Sequence, residues 1–135
     1  MNKPRTNRWS HWSLKFRNAF RGMRVGVLGQ SSFYMHFAIM AFVFVAAIFL
    51  QVSLLEWCVL LLCMGLVLSA ELFNSSIEFL ARAITDEQDD DIRDALDIAS
   101  GAVLMAAIFA AIIGVTILVF RFGLMFGLWG GYLLM

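Results

Sequence analysis

Ala70-Glu71-Leu72-Phe73-Asn74-Ser75-Ser76-Ile77-Glu78 continues an apolar run that begins near Leu54, yet it carries two carboxylates and an amide. At helical spacing Glu71, Asn74 and Glu78 stand at i, i+3 and i+7 and project from one face. Ionisable groups at membrane depth are expensive, so such a face points to function. Glu71 and Glu78 lie roughly 10 Å apart along a helix axis at 1.5 Å per residue. That is too far for one shared proton, so the two acids have separate tasks. The competing reading is structural: both acids pair with Arg82, Arg93 or basic residues near the N-terminus.

Composition sets the class around this stretch. Of 135 residues, 61% are hydrophobic, 15% are charged and one is proline, the profile of an integral membrane protein. Formal net charge is zero, but its distribution is lopsided. Lys3, Arg5, Arg8, Lys15, Arg17, Arg21 and Arg24 all precede the first apolar run, and no acid occurs before Glu56. Cys58 and Cys63 sit inside an apolar run without His or further Cys, so they read as reduced packing thiols. A cleavable leader is not expected, because the basic segment is long and no small-residue cleavage site follows the first run.

Residues 1–8 read as a basic, disordered N-terminus, and residues 9–122 as a single membrane domain. Within it a helix is expected over 9–28, with Trp9, Trp12, Phe16, Phe20, Met23 and Val27 in a stripe roughly 80° wide. Arg8, Lys15, Arg17, Arg21 and Arg24 occupy the other side, with Leu14 and Val25 as exceptions. Aromatics opposite a basic face predict an amphipathic helix on the membrane surface, or one packed on the protein's own bundle. Nucleic acid is excluded as a partner, since no groove-reading element accompanies the charge. Gly26 and Gly29 mark where the chain can turn into the membrane.

Three spans follow, at about 33–50, 54–73 (extending as helix to 84) and 98–120. Each approximates the ~20 residues that cross a ~30 Å hydrocarbon layer. Thr85-Asp86-Glu87-Gln88 has capping-box spacing, so a helix start is expected there. The acidic run Asp86 to Asp91 reads otherwise as a solvated loop. The third span carries Ala102, Ala106, Ala110 and Gly114 at four-residue spacing, a stripe that lets helices approach closely in lipid. The fold class is therefore all-α: three transmembrane helices plus an N-terminal surface helix. Residues 123–135 form an apolar tail in which Trp129 and Tyr132 suit interfacial anchoring. The basic N-terminus is expected in the cytoplasm, which gathers Glu71, Asn74, Glu78 and Asp97 at the cytoplasmic end. Lone Arg121 at the far end is an objection to that orientation. His36, near the start of the first span, reads as an interfacial or headgroup-contacting residue. Asp97 is also placed to favour a helix N-terminus.

Residues 70–78, followed by Asp97-Ile98-Ala99-Ser100-Gly101-Ala102-Val103-Leu104, closely resemble the prokaryotic diacylglycerol kinase family. These are small integral membrane kinases that include the undecaprenol kinases. The resemblance extends through Phe20-Arg21-Gly22-Met23-Arg24, Phe33, His36 and Leu55-Glu56-Trp57, and covers roughly residues 12 to 121. It implies a homotrimer in the bacterial inner membrane, with active sites shared between neighbours. It implies magnesium and ATP as well, with phosphate passing to the hydroxyl of a lipid alcohol such as diacylglycerol or undecaprenol. By the same resemblance Glu71 matches the catalytic base, Glu78 a magnesium ligand, Asn74 a residue that organises the site, and Asp97 an acid on the nucleotide side. No Gly-x-x-x-x-Gly-Lys segment occurs.

Two positions depart from the family pattern. Gln30 stands where a second metal-binding glutamate is usual, and Leu96 where a lysine usually faces the ATP phosphates. Gln30 still offers a carbonyl oxygen, without charge. Arg93 or Arg82 is the candidate substitute for the missing cation. These departures support a second reading, a catalytically impaired relative acting as a nonenzymatic membrane or lipid-binding subunit. An ion conduit is the weakest reading, because the third span carries no ionisable residue beyond Asp97 to continue a path.

Overall fold

The computed structural model describes residues 8–84 and 89–128, with side chains from Trp12 onward. The N-terminal residues before Arg8, the capping box expected at Thr85–Gln88, the side chain of Trp9, and Trp129 and Tyr132 of the tail lie outside the described residues. Everything regular within them is helical: α1 (Arg8–Leu28), α2 (Ser32–Phe49), α3 (Leu54–Ile84) and α4 (Asp90–Met125). The last three are long and apolar enough to cross a membrane.

Helix ends follow local chemistry. α2 stops in a Schellman motif: Gln51 adopts φ 51°, its N–H donates to Ile48 O, and Val52 N–H donates to Ala47 O, both at 3.1 Å. The accompanying apolar contact is present too, since Ala47 and Val52 are buried in one cluster with Leu60. α3 then starts in a reciprocal cap. Ser53 donates to Glu56 Oε2 from N (2.6 Å) and Oγ (2.7 Å), and Glu56 N–H returns to Ser53 Oγ at 3.4 Å. α4 begins at Asp90, well before the expected span at 98. Asp89 caps it, its side chain accepting from Ile92 N–H at 3.0 Å, and Asp90 and Asp91 in the first turn suit the positive end of a helix dipole.

α3 and α4 form the main packed pair, with α1 and α2 laid against α3. The small-residue stripe lies along that pair: Ala102 and Ala106 border one groove beside α3, Ala110 and Gly114 another. Gly26 of α1 and Gly29 just beyond its end allow its docking. A Cβ on Gly26 would sit 2.7 Å from Leu72 Cδ2, and one on Gly29 would sit 3.2 Å from Phe79 Cζ. α1 thus runs through Gly26 to Leu28 rather than turning there, and the bend falls at residues 29–31. Resting on Leu72 and Phe79, this bend delivers residues 30–32 to the polar face of α3.

Only 11% to 17% of the residues in the apolar windows are buried, so most of the hydrophobic surface faces outward, as lipid or neighbouring subunits require. Charged groups mark both ends. Glu56 is paired with Arg121, whose Nε lies 2.9 and 2.8 Å from the two carboxylate oxygens. Glu78 stands 22 residues further along α3, about 33 Å at the helical rise, which matches a ~30 Å hydrocarbon layer. Arg121 is therefore no stray cation but half of an ion pair that ties the start of α3 to the end of α4. Arg121→Ala, which leaves Glu56 without its partner, is expected to lower the thermal unfolding midpoint in detergent micelles. Glu56→Gln combined with Arg121→Gln recovers most of that loss, because no lone charge remains.

Candidate active site

The polar face of α3 is met by donors from three directions. Glu71 is buried, 4% exposed, and a buried carboxylate without donors is strongly disfavoured. Ser32, the first residue of α2, donates its hydroxyl to Glu71 Oε1. His36, one turn further along α2, brings Nε2 to 3.9 Å from Oε2. On α3 itself, the buried Ser75 hydroxyl turns back to Glu71 O at 2.9 Å, which is how a helix silences a polar side chain.

Glu78 lies one step nearer solvent, with its side chain 28% exposed. The Gln30 carboxamide donates to Oε2, and Asn74 Nδ2 donates to Oε1 at 2.8 Å. Arg82 NH1 stands 4.0 Å from Oε2, its guanidinium stacked 4.7 Å over the Phe79 ring. Asn74, itself buried, also reaches α4, where Ser100 Oγ lies 3.5 Å from its Oδ1. Residues 30–32, the end of the bend and the first residue of α2, thus supply one donor to each acid, Gln30 to Glu78 and Ser32 to Glu71.

Glu71, Asn74, Glu78, Gln30 and His36 therefore converge. Asp97 is exposed on α4, one turn before Ser100. Arg93 is turned to its own helix, 2.9 Å from Asp90 and 3.5 Å from Asp94, whereas Arg82 faces Glu78. Sequence reasoning missed Ser32, Ser75 and Ser100 as members of this network. The available signal for Ser32 was its i, i+4 relation to His36 at the start of an apolar run. It also missed the Ser53–Glu56 cap, although Ser-x-x-Glu before an apolar run is the usual signature.

Beside this cluster, an open groove of about 580 Å³ runs between α1 and α3, with Asn18, Arg21, Ser75 and Ser76 among its polar lining. On the other side His36 borders a groove of about 400 Å³ that is otherwise apolar, including Met40, Val43, Cys63 and Val67.

The sequence matches the prokaryotic diacylglycerol kinase family over residues 17–118. The chain belongs to that family. It is also 30% identical over 115 residues to a Bacillus subtilis (strain 168) protein named undecaprenol kinase, covering 85% of this chain and 94% of that one. No solved structure matches. Within the family the two departures now have surroundings. Gln30 keeps contact with Glu78, where the family's acid would stand, and Leu96 is half-buried on α4, its carbonyl accepting from Ser100 Oγ at 3.0 Å.

Asn74 is the residue that ties Glu78 to α4. Asn74→Ala is expected to destabilise the ligand-free protein by about 1–3 kcal/mol, the cost of leaving a charged acceptor short of a donor. Asn74→Asp is expected to cost more, because it sets a second acid beside Glu78. Thermal or denaturant unfolding in micelles, ranked across the three proteins, checks both.

Proposed function

We propose that this protein is a membrane lipid kinase that transfers the γ-phosphate of ATP to the hydroxyl of a lipid alcohol. The observation that carries this reading is the pair of differently held acids on α3, one buried among donors and one partly open, in a chain of this family. Glu71 takes the proton of the lipid hydroxyl as its oxygen attacks the γ-phosphorus, and ADP leaves. His36 Nε2, beside the same carboxylate, is positioned to donate to or accept from that hydroxyl. The apolar groove that His36 borders suits a substrate arriving laterally from the bilayer, and undecaprenol and diacylglycerol are the candidate alcohols.

Glu78 is the acid suited to magnesium, and the donor set around it fits. Magnesium is commonly held by one or two carboxylates together with phosphate oxygens and water. Among the described residues no group of three or more His, Cys, Asp or Glu converges, so nucleotide phosphates and water would have to complete the coordination. Gln30 and Asn74 both point carboxamide nitrogen at Glu78, and rotating either amide would offer oxygen to the same spot. Magnesium bound there would neutralise charge on the transferring phosphate. The groove between α1 and α3 is our choice for the nucleotide, because Arg21 and three hydroxyl or amide side chains line it next to Phe79. Arg82 replaces the cation missing at Leu96. Its place 4.0 Å from Glu78 supports this, whereas Arg93 is engaged by Asp90 and Asp94.

The same reading puts the site at the inner face of a bacterial inner membrane, with α1 lying on the surface. Lys15, Arg17, Arg21 and Arg24 are exposed along α1 together with Trp12, Phe16 and Phe20, which supports contact with lipid headgroups. A homotrimer would cover the grooves left open around α3 and α4. The nonenzymatic alternative rests on Gln30 and Leu96 alone. It gives no reason to keep Glu71 buried in donors at membrane depth, a costly arrangement when it serves nothing.

Two measurements test this. With radiolabelled ATP, magnesium and micellar undecaprenol or diacylglycerol, the wild type is expected to label at least one lipid, and Glu71→Gln to be slower by about 10²–10⁴-fold. No labelling of any lipid alcohol, with no ATP binding, removes the enzyme. For the metal, Gln30→Glu is expected to unfold earlier than wild type in chelator, through repulsion with Glu78. It is then expected to gain more from added magnesium, because binding to the folded state alone raises stability. Equal magnesium response in both proteins would exclude position 30 from the metal site.

A further inference from the structure

Serine at the start of a helix ordinarily caps the free backbone N–H groups of the first turn. Two serines stand at the start of α2, and neither does so. Ser31 at the N-cap has φ −69° and ψ −25° and makes no side-chain cap bond. The Ser32 hydroxyl instead crosses 39 positions of chain to Glu71 Oε1. A local rule is broken at the acid read above as the base, and such violations concentrate at functional sites. The other carboxylate oxygen is treated differently: Oε2 has His36 Nε2 at 3.9 Å, too far for a direct hydrogen bond. That spacing admits a hydroxyl oxygen within about 2.8 Å of both atoms.

We propose that Ser32 is the positioning residue of the reaction. By holding Oε1 of Glu71, it leaves Oε2 as the oxygen that accepts the lipid hydroxyl proton, turned to the side where His36 and the apolar groove lie. The proposal rests on the lipid-kinase reading above. A carboxylate tethered at neither oxygen rotates freely and presents its basic lone pair in many directions, whereas transfer requires a near-attack arrangement. Ser32 touches neither phosphate nor alcohol; it acts through Glu71. Gln30, two residues earlier, performs the parallel operation on Glu78, so residues 30–32 orient both acids of α3 from one side.

The test compares wild type, Ser32→Ala and Ser32→Thr as full chains in detergent. Ser32→Ala is expected to lower kcat for the lipid alcohol by about tenfold or more, the effect of losing one hydrogen bond to a charged group. KM for ATP should stay within about twofold, since Ser32 does not meet the nucleotide. Ser32→Thr keeps a hydroxyl at the same place and is expected to recover most of the rate. An independent readout needs no turnover: the infrared carboxylate band of Glu71, isolated as the difference between wild type and Glu71→Gln without ATP. That band is expected to move in Ser32→Ala and to stay in Ser32→Thr. An unmoved band in Ser32→Ala, or full rate in that variant, overturns the proposal. So does Ser32→Thr running as slowly as Ser32→Ala while its band stays at the wild-type position, because holding the acid would then not set the rate. A wild type that labels no lipid alcohol defeats the kinase reading instead, and the band still decides whether Ser32 holds Glu71.

Discussion

Two carboxylates on one face of a helix whose preceding turns are apolar impose the constraint on which this structure depends. Each acid needs donors that its own helix cannot supply, because the backbone N–H groups of α3 are consumed within it. Asn74 meets part of the need of Glu78 with its side chain, from within α3. The remainder comes from Gln30 in the bend before α2, from Ser32 at the first position of α2, and from His36 one turn later. Breaking that clasp would leave Glu71 both buried and unsatisfied, a state that a membrane interior does not tolerate.

The clasp explains features that look incidental. Gly26 and Gly29 bring the end of α1 onto Leu72 and Phe79, each one residue beyond an acid. A Cβ at Gly26 would displace the end of the Leu72 side chain, and one at Gly29 would crowd Val25 O and the Phe79 ring beside the bend that carries Gln30. α1 is thus tied to the site whatever it does at the membrane surface. At the opposite end Ser53, Glu56 and Arg121 close the bundle with a cap and an ion pair. Between these polar ends the helices touch mainly along the α3–α4 pair, and grooves remain on either side. A chain fastened at its ends is left open along its middle, with apolar grooves on either side of that pair.

How much of this was legible depends on the range of the interaction. The face formed by Glu71, Asn74 and Glu78 follows from helical periodicity, and the three apolar runs follow from length. The structure agrees with those runs to within a residue or so for α2 and α3. Hydropathy marks the apolar part of α4 from about 98, whereas the helix itself begins at Asp90, where the Asp89 side chain caps it. The partner of Arg121 was not legible in the sequence because of its distance along the chain. Nothing near it in sequence carries the opposite charge, and its partner lies 65 positions away.

By itself the sequence determined the class of protein, the number of helices long and apolar enough to cross a membrane, and the shared face of Glu71, Asn74 and Glu78. All of these are periodic or compositional properties that each helix expresses alone. The tertiary structure alone decided which neutral side chains serve the acids: Ser32 rather than a cap on its own helix, Gln30 on Glu78, and Ser100 near Asn74. It also decided that Arg82, and not Arg93, faces the site. Hydroxyls and amides make hydrogen bonds equally well in many places, so their partners are fixed only when packing brings distant backbone within about 3 Å.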